Sequence, residues 1–166
     1  TFAGDLSYNN ATAPTVTWDL ISNSDASGFD QFVVNGNLDF ATTTDLLLNF
    51  DALGSSVDWT DTFWNNDQSW DIYTSTNTIV NSMNLVLSQE NWIDSTTAPN
   101  DFNSLRAGPN GSSFELDYSN PNTITLNFTA VPEPSTYALF GLGLAAFGWM
   151  TRRRKRKAAT AAAESE

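Results

Sequence analysis

The chain has 166 residues, with seven Lys or Arg against nineteen Asp or Glu, a formal net charge of −12, no Cys and no His. Those absences exclude disulfides, thiol and histidine catalysis, and the usual zinc, haem and iron–sulfur ligand sets, and no cofactor is expected. Residues 1–131 hold sixteen acidic groups, fourteen Asp with Glu90 and Glu115, against Arg106 alone, a balance of −15 that repels nucleic acid and anionic lipid.

In chain order, the apolar residues mostly recur at every second position. Val16, Trp18 and Leu20 alternate with Thr15, Thr17 and Asp19, the pattern of a half-buried strand. Phe32 and Val34 share one face of the next, Asn35-Gly36 is a tight-turn dipeptide, and Leu38 with Phe40 follows. Leu46, Leu48 and Phe50 line one face of a further strand, and Ala52–Ser56 turns the chain. Asp71 to Thr74, then Met83, Leu85 and Leu87, then Phe114, Leu116 and Tyr118, and finally Ile124, Leu126 and Phe128 read as strands. No segment before Ser135 shows a helical period, so the first 130 residues are expected to be all-β.

Residues 57–70 differ in texture: Trp59, Phe63, Trp64 and Trp70 stand among Asp58, Asp61, Asn65, Asn66 and Asp67. Aromatic faces beside carboxylates and amides make Trp59, Trp64 and Trp70 candidates for stacking on a saccharide. The structural reading is that the same rings fill a small core or plug the open end of a solenoid. Asp is too abundant here for a chance pair to signal glycoside hydrolysis, and Glu occurs only twice, away from the aromatics, so no catalytic residue is assigned and no enzyme is expected. Asp and Asn oxygens suit calcium, but neither the helix-loop-helix calcium phrase nor a Gly/Asp nonapeptide repeat is present, and no metal site is assigned.

The last stretch organises the rest. Val131-Pro132-Glu133-Pro134-Ser135 leads into an uncharged run, residues 136–151, and then into Arg152-Arg153-Arg154-Lys155-Arg156-Lys157. Seventeen uncharged residues from Ser135 to Thr151 reach roughly 25 Å as a helix, slightly under the roughly 30 Å hydrocarbon core, and snorkelling basic side chains extend that reach. Six consecutive cations argue against a buried core helix and place the basic end in the cytoplasm. Residues 1–134 are then translocated. Gly141, Ala145 and Gly148 weaken the run as a permanent anchor. No initiator Met or leader opens Thr1-Phe2-Ala3-Gly4, so a mature form or a C-terminal fragment is expected.

Pro-Glu-Pro, a Gly-Leu-Gly-Leu-containing apolar run and an Arg cluster, in that order, resemble the PEP-CTERM sorting signal. The resemblance implies export from a Gram-negative bacterium that makes extracellular polysaccharide, and transient anchoring in the inner membrane. It also implies processing by exosortase, a membrane-embedded cysteine transpeptidase-like enzyme, before release to the cell surface or beyond. A second set of phrases resembles the terminal region of autotransporter-associated β-strand repeat proteins. These are Thr17-Trp18-Asp19-Leu20, Phe29-Asp30-Gln31-Phe32-Val33-Val34-Asn35-Gly36, Leu46 to Phe50, Phe63-Trp64 and Ser69-Trp70. That resemblance implies a right-handed parallel β-helix.

The expected layout is an exported β-rich domain (1–130), the sorting motif (131–135), a transmembrane helix (136–151) and a basic cytoplasmic tail (152–166). The fold expectation is the terminal coils of a parallel β-helix, or alternatively a β-sandwich, followed by the single C-terminal helix. The expected function is a non-enzymatic surface or extracellular-matrix protein, or alternatively a carbohydrate-binding module for secreted polysaccharide.

Overall fold

The computed structural model describes residues 1–10, 12–88, 92–96, 100–105, 111–131 and 142. The chain divides into two compact units, Thr1–Val131 and Pro132–Glu166. The expected transmembrane helix apart from Leu142, the residues Pro132 to Ser135 and the basic block Arg152 to Lys157 lie outside the described residues. Among the described residues no helix is long and apolar enough to cross a membrane.

Among the described residues nine strands form: β1 (Leu6–Ser7), β2 (Thr15–Asp19), β3 (Phe32–Val34), β4 (Leu38–Asp39), β5 (Thr44–Asn49), β6 (Gln68–Ser75), β7 (Leu85–Leu87), β8 (Ser113–Asp117) and β9 (Thr123–Thr129). The α-helical segment α1 (Phe102–Leu105) is a single turn, too short to print a 3.6-residue period on the sequence. Alternation reads through directly in β5 and β9, where every second side chain is buried.

Before the final hairpin, strands consecutive in the chain do not pair with each other. β1 pairs parallel with β4, β2 with β5, β5 with β7, and β3 with β6. Each partner lies one circuit of the chain further on, and the side-chain hydrogen bonds between circuits span 30 to 44 positions. Parallel pairing of this kind departs from the antiparallel order of a sandwich. Among the named strands, antiparallel pairing is confined to the end of the unit, where β8 and β9 form a hairpin that docks on β6, giving the sheet order β3-β6-β9-β8.

The Asn35-Gly36 dipeptide is therefore a corner rather than a hairpin turn, since β3 and β4 on either side of it join different sheets. Glycine is required there by close approach. A Cβ on Gly36 would lie 2.6 Å from Asp5 Oδ1 and 2.7 Å from the Gly4 carbonyl carbon. The same Asp5 carboxylate accepts the Asn37 amide at 2.7 Å, tying the first corner to the second. Asn37 in turn accepts from the Asn77 side chain at 3.0 Å, and Ser75 Oγ donates to the Gly36 carbonyl at 2.9 Å. Corners thus stack through side chains where strands stack through backbone.

Inside, rings and branched chains continue the same stacking. Tyr8 lies on Phe40 and Phe32 on Tyr73, with ring centroids 5.0 and 4.7 Å apart. A register shift between Asp71 and Tyr73 turns two successive residues, Ile72 and Tyr73, inward. Met83, expected on the inner face of a strand, instead sits in a 3-10 turn and is 77% exposed.

Candidate sorting site and the aromatic end of the unit

The aromatic segment is turned inward by its own polar residues. Asp58 accepts the Thr60 hydroxyl at 2.6 Å and the Thr60 amide at 2.9 Å, and these bonds, the hydroxyl foremost, hold its carboxyl below the usual range. Asp61 caps the following 3-10 turn, Thr62–Asn65, by accepting the Phe63 amide at 2.8 Å. The carboxylates that made this stretch resemble a binding surface are thus turn-formers, at least at Asp58 and Asp61.

The consequence for the candidate stacking residues is decisive. Trp59, Trp64 and Trp70 are 1%, 0% and 1% exposed. Trp64 meets Trp59 at 4.5 Å and Phe128 at 5.0 Å between centroids, and Trp70 lies against Trp18 at 5.7 Å. Their indole N–H groups are satisfied internally. Trp59 donates to Asp94 Oδ2 (2.9 Å), Trp64 to Asn23 Oδ1 (3.2 Å) and Trp70 to the Ser24 carbonyl (2.9 Å). No ring face is left for a sugar to stack on, so the candidacy of these three for saccharide stacking is corrected and the structural reading of the rings stands: they are core.

Open clefts lie on the surface among the described residues. One, of about 410 Å³, is bordered by Asp25, Asp67, Ser69 and Thr129; a second, of about 340 Å³, by Asp19, Asp30, Ile21 and Leu53. Among the described residues no group of three or more carboxylates is arranged to hold a metal ion. The second cleft's Asp19 is engaged by the Asn49 amide group at 2.8 Å, a contact between circuits.

The end of β9 is where the unit meets its tail. β9 lies between β6 and β8, so its last residues are held from both sides. Past the last ladder pair, Ser113 with Thr129, side chains continue the pairing. The Ala130 amide donates to Asp67 Oδ1 at 2.8 Å, and the Val131 amide donates to Ser112 Oγ at 3.2 Å. Ser112 is buried and Val131 is 37% exposed. Asp67 stands just before β6 and Ser112 just before β8. Sequence alone gave no sign of either, because their role depends on which strands flank β9.

Immediately beyond this point comes Pro132-Glu133-Pro134. Residues 130–154 match the family model of the PEP-CTERM protein-sorting motif. The tail is a PEP-CTERM sorting signal. It takes in Val131 to Ser135, the apolar run and Arg152 to Arg154, and stops short of Lys155. PEP-CTERM signals are recognised by exosortase, a membrane protein, and the motif implies export with membrane-associated processing. No curated protein and no solved structure matches the chain.

Proposed function

We propose that the chain is a non-enzymatic structural protein of the cell surface or extracellular matrix, with residues 1–130 as cargo and the PEP-CTERM signal as a removable address. The observation that carries this reading is the sorting motif at residues 130–154, which begins directly where β9 ends. In this reading residues 136–151 span the inner membrane of a Gram-negative cell, and Arg152 to Lys157 stay in the cytoplasm. Exosortase then acts near Val131 to Ser135, and the cargo passes to the surface or beyond.

The cargo is read as the terminal coils of a parallel β-helix. Support comes from the parallel pairs β1–β4, β2–β5–β7 and β3–β6, the polar contacts between corners, and the antiparallel hairpin that closes one end. A stack of this kind buries its apolar layer between neighbouring circuits and presents polar corners to solvent, which suits a scaffold better than a reaction centre. Its acidity keeps it soluble and away from anionic lipid once released.

The test is substitution of the motif. Replacing Pro132, Glu133 and Pro134 together by Ala is expected to leave the protein in the membrane fraction of a host that has exosortase, while the unaltered chain is recovered outside it. Equal partitioning of the two chains would sink the proposal.

A further inference from the structure

The sorting motif and the folded unit overlap. The motif begins at residue 130, yet Ala130 and Val131 are held by the fold, one through Asp67 and the other through Ser112. Resting on the sorting reading above, we propose that Asp67 and Ser112 form a latch on the first two residues of the signal, so that the folded cargo restrains its own processing.

The geometry gives the latch two unequal halves. Asp67 is exposed in the wall of the open cleft of about 410 Å³, where water competes for its carboxylate. Ser112 is buried, and its bond to Val131 is partly shielded. Both bonds are made by side chains beyond the last backbone pair of β9, so they open without breaking the sheet behind them. Release of the tail therefore proceeds from the exposed side inward.

Chain length makes the latch matter. Between Val131 and Tyr137, where the continuous apolar run starts, stand five residues, Pro132 to Thr136. Even fully extended they span only about 17 Å. A membrane enzyme that binds its substrate as an extended segment has little free chain to grip unless Ala130 and Val131 come away from the fold. A substrate that is competent only when open is processed in proportion to its open fraction. Asp67 and Ser112 are thus positioning residues, setting that fraction without touching the reacting bond.

The experiment uses the full chain in a host expressing exosortase and follows the initial rate of tail loss. Asp67→Ala and Ser112→Ala are each expected to raise that rate about fivefold, the population change that goes with one net hydrogen bond. Inserting a flexible segment of about eight Gly and Ser residues between Thr129 and Ala130 keeps the motif whole but moves it off the latch. This chain is expected to be cut at least tenfold faster than the unaltered one, and Asp67→Ala should then change nothing further. Thermal unfolding run in parallel should show the inserted chain still melting in one cooperative transition, lowered by no more than a few degrees, which separates unlatching from unfolding. An inserted chain cut at the unaltered rate overturns the latch and leaves the sorting reading standing. No cutting of any variant removes the sorting reading, and the latch with it.

Discussion

The hydroxyls of Tyr8, just past β1, and Tyr73, in β6, meet at 3.0 Å across 65 positions of the chain. Their rings meet edge to face at 6.4 Å, and Phe40 completes the group, stacked on Tyr8 and edge-on to Tyr73. Loss of solvation on burial raises both phenols above their ordinary 10.0, the Tyr8 shift being partly offset by its hydrogen bond with Tyr73.

Alkaline pH should therefore destabilise the unit. Burial also raises the phenol of Tyr118, so three tyrosines ionise later in the folded chain than in the unfolded one. Their contribution is fully present below pH 10.0, the unfolded value, and is lost as pH rises from there toward the folded values. Phenolate absorbance during a slow alkaline titration should show these three appearing together with loss of folded circular dichroism. Gradual ionisation with the fold intact would contradict the burial.

Truncating Trp70 tests the reassignment of the aromatic segment. Trp70→Ala removes a ring that is 1% exposed together with its bond to the Ser24 carbonyl, and should lower unfolding free energy by about 3–5 kcal/mol. Met83→Ser, at a side chain 77% exposed, should change it by less than about 0.5 kcal/mol. Urea unfolding of the two variants beside the parent gives both numbers.

At the corners, Gly36→Ala and Gly4→Ala make a matched pair. The first places a methyl 2.7 Å from backbone and 2.6 Å from the Asp5 carboxylate, and should cost about 1–3 kcal/mol. The second meets nothing within 4 Å and should be neutral within about 0.5 kcal/mol. Denaturant midpoints for both variants check the close approach directly.

Contacts between circuits are open to a double-mutant cycle. Asn49 donates to Asp19 at 2.8 Å and also accepts the Asp51 amide at 3.0 Å. Asn49→Ala should cost about 1.5–3 kcal/mol, and the coupling with Asp19→Ala should account for about 1 kcal/mol of it. A coupling near zero would mean the stack of polar corners is incidental.

How much of this was written in the sequence differs by element. β5 and β9 were legible because Leu46 and Leu48, and Ile124, Leu126 and Phe128, alternate with polar residues and each strand has one buried face. The partners of those strands were not legible. The circuits differ in length, with Asn49 reaching Asp19 over 30 positions and Asn81 reaching Asp39 over 42, so no fixed repeat marks the register. Strand β6 starts at Gln68 rather than near Asp71, and its bulge buries Ile72 and Tyr73 together, which strict alternation forbids.

The candidate site divides the same way. Val131 to Ser135 and the Arg cluster were readable because a sorting signal must be recognisable as a short linear phrase. Trp59, Trp64 and Trp70 left two readings open, and the core reading is the one that holds, because Asp and Asn near a ring look alike whether they face solvent as binding groups or cap turns that fold the ring inward. Asp67 and Ser112 carried no signal, since only the placement of β9 between β6 and β8 gives them something to hold.

The most direct test of the account is the intact mass of the chain recovered from cells with and without exosortase. The account predicts the full mass without the enzyme and, with it, a species that has lost the apolar run and the basic block, cut near Val131 to Ser135. The same mass from both cells would contradict it.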